Sequence, residues 1–321
     1  MSNPPFKITN RILTLHSQIH ELLGEFKGVS IGKPLVKLRK ENKIQTVHHS
    51  LAIEGNELTE AQITAILENK RVLGPKKQIL EVQNALKVYD SLSTFKPLQE
   101  KDLLKAHKLL MQDLVKNAGK YRNGQVGIFK GTKVSHVAPP AKQVPRLMAD
   151  LFNFLKQDKE TSFLIKACVF HYELEFIHPF EDGNGRMGRL WQQILLIQHS
   201  PIFEYLSTES IIHKRQKEYY RVLEKSDKAG DSTAFVEFSL EIILSALEAF
   251  KGSQNFSKPT GQNRIQLALE KFGTKEFSLK NYLELFPTIS TATASRDLAL
   301  AVKENKISIS GEKARSFYKA K

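Results

Sequence analysis

Residues 160–199 constrain this chain more than any other stretch. Residues 160–177 are apolar nearly all round, the pattern of a helix buried at the centre of a domain. Residues 185–199 read as a second helix. Between and into them runs His178-Pro179-Phe180-Glu181-Asp182-Gly183-Asn184-Gly185-Arg186-Met187-Gly188-Arg189. It places an imidazole, acids, a glycine-rich turn and two arginines at the junction of two core helices.

The local chemistry of that segment favours phosphate. His178 precedes a proline, which predicts extended backbone in a loop just past the buried helix. Asp182-Gly183-Asn184-Gly185 is strong turn sequence. A helix starting near Gly185 turns its free amides and the positive end of its dipole toward the turn, where glycine lets a phosphate approach the backbone. Arg186 and Arg189, three apart, share a helix face, and guanidinium groups bind phosphate oxygens bidentately. Asp182 is a hard oxygen ligand suited to Mg²⁺ bridging phosphates. A histidine titrates near neutrality and can take a proton from an incoming hydroxyl. Singly, each feature has a structural explanation in packing, a turn or a solvated face. Together they point to nucleotide-dependent transfer onto an alcohol.

The rest of the chain predicts a mainly α protein. Apolar residues recur at helical spacing over 79–92, 99–115, 143–157, 207–227 and 233–250. The exception is 119–140, where glycines punctuate two short runs, 125–129 and 133–137, that read as a small hairpin resting on the helices. A polar Gly/Ser/Pro stretch at 252–263 has linker composition. Beyond it, three short helices at 264–272, 278–286 and 291–304 precede a hairpin at 307–312 and 315–318, the order of a winged helix-turn-helix. The formal charge of +14 attracts anions without choosing among nucleotides, nucleic acid and acidic proteins. No run of about 18 apolar residues predicts a membrane span, and the first residues lack a secretory pattern. The single cysteine, Cys168, lies in an apolar run and reads as a buried hydrophobe. The expectation is a cytoplasmic protein with no membrane partner.

The twelve-residue segment resembles the Fic-domain signature, His-x-Phe-x-Asp/Glu-Gly-Asn-Gly-Arg-x-x-Arg, at every fixed position. The likeness extends over about residues 40–250. It implies transfer of AMP from ATP to a Ser, Thr or Tyr hydroxyl of a target protein. By that resemblance His178 is the general base, Asp182 the Mg²⁺ ligand, and Gly183, Asn184, Gly185 and Arg186 the anion hole, with Met187 and Gly188 in the same segment. Arg189 holds the γ-phosphate. Ser50-Leu51-Ala52-Ile53-Glu54-Gly55-Asn56, alone a helix end and turn, resembles the family's inhibitory motif. A Glu54 carboxylate reaching Arg189 would take the guanidinium meant for the phosphate. The hairpin resembles the family's flap, with Ser135, His136, Val137 and Ala138 docking the target segment by strand addition. Arg215 stands where the family usually has Asn near the base, a departure that affects adenine recognition. Relatives with this brake imply a homodimer.

The expected division is an inhibitory helical region at 1–100, a catalytic core at 101–251, a linker at 252–263 and a winged helix at 264–321. The last two segments carry twelve Lys and Arg against six Asp and Glu, which suits duplex DNA, although such domains also bind protein. Two alternatives stay open: a DNA-binding regulator using the Fic fold as a nucleotide sensor, and removal of AMP by the same site. Gly183-x-Gly185-x-x-Gly188 is not a dinucleotide fingerprint, because a helix precedes it. Gly28-Val29-Ser30-Ile31-Gly32 lacks the setting of a nucleophile elbow. His171, Glu173, Glu175 and His178 lack the spacing of a zinc hydrolase.

Overall fold

A computed structural model describes residues 3–26, 35–124, 127–130, 133–253, 260–287, 289–311 and 316–321, and the side chains of these except 35–36, 127–130 and 133–137. Outside the described residues lie the 28–32 motif, the hairpin positions 125–126 and 131–132, the linker residues 254–259, Thr288, and Lys313 and Arg315 near the C-terminus. The chain divides into two compact units, Met1–Glu21 with Val36–Phe250, and Leu22–Leu35 with Lys251–Lys321.

The first unit is built on α7 (Phe163–Ile177) and α8 (Asn184–His199). Twelve of the fifteen residues of α7 are buried, so no face is left for solvent and other helices pack around it. Phe170 meets Phe152 of α6 (Val144–Gln157) edge-to-face at 5.4 Å, and Trp191 of α8 is buried with its indole N–H donating to Pro97 O at 3.1 Å. Helices α1 (Asn10–Phe26), α2 (Leu35–Ile53), α3 (Glu60–Leu67), α4 (Lys76–Asp90) and α5 (Glu100–Leu110) precede this pair. Helices α9 (Thr208–Lys214), α10 (Gln216–Ala229) and α11 (Thr233–Ser253) follow it. A buried cluster of Ile53, Tyr172, Ile212, Tyr219, Phe235, Phe238 and Ile242 fixes the end of α2 against α7, α9, α10 and α11. Strands β1 (Gly127–Lys130) and β2 (Lys133–Val137) pair antiparallel, with a register shift between Ile128 and Phe129.

Periodicity misses two interruptions. The expected helix over 99–115 stops at Leu110: Asp113 takes φ 59°, and the Gly119 amide folds back to donate to His107 Nδ1 at 2.8 Å. The expected helix over 207–227 breaks at Arg215, whose amide bonds Ile211 O and Ile212 O while its side chain grips Glu218 and Glu241. Both losses come from tertiary hydrogen bonds that the 3.6-residue pattern does not encode.

The second unit orders α12 (Gly261–Phe272), β3 (Phe277–Ser278), α13 (Leu279–Leu285), α14 (Thr291–Lys303), β4 (Ile307–Ser310) and β5 (Phe317–Ala320). The three strands form an antiparallel sheet in the order β3-β5-β4; β3 is too short for the alternation rule to find. Ser278 and Ser290 cap α13 and α14 by accepting from the third residue onward, which relieves orphan amides. The apolar core, including Ile265, Phe277, Tyr282, Leu298 and Ile307, surrounds one ion pair. Arg264 donates to both oxygens of Asp297 at 2.6 and 3.0 Å, and the Tyr282 hydroxyl donates to the same carboxylate at 3.2 Å. No helix among the described residues is long and apolar enough to cross a membrane.

Removing one partner of a buried pair strands the other charge, at a cost of about 3–5 kcal/mol. Asp297→Ala should therefore open the C-terminal unit ahead of the first. Hydrogen exchange on the full chain should show protection lost over α12–α14 and retained over α7 and α8.

Candidate active site

The site forms where α7 ends and α8 begins. His178 is the C-cap of α7, its amide donating to Leu174 O at 3.0 Å, with backbone at φ 49°, ψ 58°. Sequence predicts extended backbone before Pro179; the left-handed conformation is a correction. Such a conformation in a non-glycine residue costs about 1–3 kcal/mol and persists only where surrounding contacts dictate it. The contacts come from Arg122, which the sequence reading did not single out. This buried guanidinium donates to His178 O (2.7 Å), Ile177 O (3.3 Å), Gly124 O (2.9 Å) and Pro139 O (2.5 Å), while its amide donates to Pro179 O at 2.9 Å. One side chain thus ties the catalytic-loop candidate to the residues before β1 and after β2. Its burial pushes its pKa below the ordinary guanidinium value, and among the described residues its side-chain hydrogen-bond partners are neutral carbonyls.

A second unforeseen residue shapes the turn. His107 stacks on Phe180 at 3.7 Å, nearly parallel. Its Nδ1 accepts from Gly119 N, so its Nε2–H donates to Asp182 O at 3.0 Å. Burial lowers its pKa to about 4, so the ring is neutral with that tautomer fixed. Asn184 closes the loop from within, accepting from Phe180 N and donating to Phe180 O, both at 2.9 Å. Its side chain therefore faces the loop. What α8 offers outward is its first turn: Gly183 sits at φ 85° as N-cap, and no side chain caps the helix. At Gly183 a Cβ would fall 2.7 Å from Met111 Sδ, so glycine is required twice over.

Around that first turn the predicted residues converge. Asp182 Oδ1 accepts from Gly183 N at 2.6 Å and from Arg186 Nη2 at 3.1 Å. Arg186 also lies 3.5 Å from Glu81 Oε1. Arg189 is buried and donates to Glu54 Oε1 at 2.7 Å, to Ser50 O at 3.0 Å and to Ser50 Oγ at 3.2 Å. Burial opposes its charge, but the Glu54 carboxylate beside it raises its pKa further above the ordinary value. The Glu54 carboxylate also presses on the helix tip: a Cβ at Gly185 would fall 2.6 Å from its Oε1. Gly55 (φ 88°) turns the chain after α2, and Asn56 fixes the turn by donating to Glu81 Oε2 at 2.9 Å. Gly188 admits α7: a Cβ there would meet His171 Cδ2 at 2.7 Å. Met187 is buried in the core.

Arg215 is held elsewhere. It pairs with Glu218 at 2.7 Å and Glu241 at 3.1 Å and lies over the Phe238 ring, with no contact to the signature among the described residues. Ala138 is buried at the end of the hairpin. Ser135, His136 and Val137 belong to β2, and their side chains lie outside the description. Among the described residues no group of three or more His, Cys, Asp or Glu side chains could hold a metal ion. The lone Asp182 carboxylate, half exposed, suits a cation that takes most of its ligands from phosphate and water, as Mg²⁺ does.

The Fic/DOC family pattern matches residues 97–196. Over 250 residues the chain is 29% identical to the protein adenylyltransferase Fic of Nematostella vectensis, covering 73% of this chain and 54% of that protein. Over 231 residues it is 31% identical to that of Culex quinquefasciatus, covering 67% and 43%. The chain thus spans about half the length of the curated relatives it matches. A solved Fic family protein from Desulfovibrio desulfuricans G20 is 37% identical, with 100% of this chain and 98% of that chain covered and a TM-score of 0.73. Fic-1 from C. elegans shares the fold at 23% identity and a TM-score of 0.63, with 75% and 72% covered.

Each carbonyl left without its donor costs about 1–3 kcal/mol, less where water enters. Arg122→Ala should lower the thermal midpoint of the full chain markedly. Arg122→Lys should recover only part, because an ammonium cannot reproduce the planar fork.

Proposed function

The chain belongs to the Fic family, and from that premise we propose that it transfers AMP from ATP to a Ser, Thr or Tyr hydroxyl of a protein, itself included. The observation that carries this reading is the tip of α8. Its first turn has no side-chain cap, two arginines flank it, and His178 lies one short loop away. The name shared by the curated relatives, protein adenylyltransferase, supports the donor and the reaction.

In the proposed mechanism the amides at the start of α8 bind the α- and β-phosphate oxygens, and the Arg186 and Arg189 guanidinium groups neutralise the remaining charge. The target hydroxyl oxygen attacks the α-phosphorus, its proton passes to His178, and the bond to the bridging oxygen breaks to release pyrophosphate. Such transfer depends chiefly on positioning and charge stabilisation. Arg122 serves it by holding the His178 backbone, and His107 by holding the Asp182 carbonyl. Asp182 would hold Mg²⁺, which supplies charge neutralisation to the phosphates when bound. The hairpin receives the target segment by strand addition, with Ser135 to Ala138 along its edge.

Glu54 is the proposed brake. Its carboxylate lies on Arg189 and against Gly185, at the positive end of α8 where a phosphate would be bound. A triphosphate and this carboxylate compete for one guanidinium, so ATP enters in an unproductive pose until Glu54 withdraws. Ser50 shares the grip through its carbonyl and hydroxyl.

For the C-terminal unit we propose a winged helix that binds duplex DNA. The order α12-β3-α13-α14-β4-β5 supports it, as does the exposure of Thr291, Ala292, Ser295 and Arg296 on α14. Binding through phosphates should weaken steeply as salt rises. A salt-independent affinity in a titration of the full chain with duplex DNA would remove this reading.

Mass spectrometry after incubation with Mg-ATP tests the transfer. Glu54→Gly should gain one AMP faster than the wild type. Adding His178→Ala should slow that gain by about 10²- to 10⁴-fold. A folded Glu54→Gly protein that never gains mass would overturn the proposal.

A further inference from the structure

Withdrawing the brake creates an electrostatic problem that the position of one further residue resolves. The Arg189 side chain is 1% exposed and its direct anionic partner is Glu54, whose own side chain is 34% exposed in the turn that follows α2. Once Glu54 leaves, the hydrogen-bonded partners of the guanidinium are the neutral oxygens of Ser50; the buried Glu209 carboxylate acts on it only through space and bonds Thr208 and Tyr89 instead. A buried cation without a counter-ion is strongly disfavoured. It would leave its place before a phosphate could arrive.

Glu175 of α7 reaches the same region as Glu54 without closing to ion-pair distance of the guanidinium. Arg189 Nη1 is buried and has no hydrogen-bond partner among the described residues. Nη1 and Glu175 Oε1 crowd the same point, lying 3.2 and 3.4 Å from where a Cβ on Gly185 would sit. Glu175 in turn has no cation bonded to it: Tyr219 donates its hydroxyl at 3.3 Å, and His171 lies 3.9 Å away. That histidine is neutral, its pKa pushed down to about 3 by burial. Its Nδ1–H donates to Gln192 Oε1 at 2.6 Å, so Nε2, 3.2 Å from the Tyr219 oxygen, is an acceptor that shares the one Tyr219 proton with Glu175. A guanidinium nitrogen lacking an acceptor and a carboxylate lacking a cation thus share one buried space. Glycine at 185 and 188 keeps that space open; a Cβ at Gly188 would fall 3.2 Å from Glu175 Oε1.

We infer that Glu175 is a positioning residue: it is the resident counter-ion of Arg189, holding the guanidinium at the tip of α8 when Glu54 is withdrawn and before a triphosphate is bound. Burial first, and the charge of Glu54 as well, pushes the Glu175 carboxyl up to about 7, while Arg189 pulls it down. Withdrawal of Glu54 removes the like charge and strengthens the pairing just when it is required. The two carboxylates therefore substitute for each other on one arginine. The nucleotide arm of the inference rests on the proposed role of Arg189 in binding ATP; the stability arm does not.

The test is a double-mutant cycle on the full chain with Glu54→Gly, Glu175→Gln and both together, read by thermal midpoint and by calorimetric titration with ATP. Each single variant should fold. The double variant should lose about 5 °C or more beyond the sum of the single losses. Relative to Glu54→Gly alone it should bind ATP about tenfold more weakly or worse. Glu175→Asp in the Glu54→Gly background, which keeps the charge, should restore most of both losses. A double variant that does not fold, beside a folded Glu54→Gly/Glu175→Asp protein, supports the inference equally. Additive midpoints overturn it, as does unfolding of Glu175→Gln with Glu54 present. Coupled midpoints with no ATP binding by any variant would uphold the counter-ion and sink the proposed transfer instead.

Discussion

The close approach of α7 and α8 is the constraint from which the rest of the first unit follows. Glycine at 188 lets Glu175 and His171 of one helix lie against the backbone of the other, where a single added carbon would meet them inside van der Waals contact, and glycine at 185 does the same for Glu54. Packing this tight buries Arg189 and gathers polar side chains beneath the helix tip. Chemistry that would be screened by water on a surface helix acts here at low dielectric, where every pairing carries more weight.

One cation, Arg122, and otherwise uncharged groups hold the loop that joins the two helices. His107, Asn184 and the peptide carbonyls gripped by Arg122 set its path without adding an anion that would compete with a phosphate. The left-handed turn at His178 is the price of that path. The same guanidinium spans the chain before β1 and after β2, so the hairpin and the histidine share one mechanical support.

Much of this architecture is legible in the residues. The all-round apolarity of 160–177 marks the central helix, and the glycine and proline punctuation marks the hairpin. The twelve-residue segment names its own chemistry through side chains of matching kind at close spacing. Arg122 leaves no such mark, because its partners are backbone carbonyls, which every residue carries. His107 reads as one more position on an apolar helix face, since its stacking partner lies on another element. The Glu54–Arg189 pair bridges 135 residues, and no local period encodes it; only the family resemblance suggests the contact. Helix ends at Leu110 and Arg215 escape for the same reason, being fixed by tertiary partners.

The amide bracket between Asn184 and Phe180 has a consequence for selectivity. With that side chain turned inward, the other polar groups of the segment are peptide N–H, guanidinium, carboxylate and imidazole. None of these distinguishes a purine from a pyrimidine. On the proposed reading the segment would hold a pyrophosphate linkage whatever the base attached, and the choice among nucleotide donors would fall to side chains on the surrounding helices.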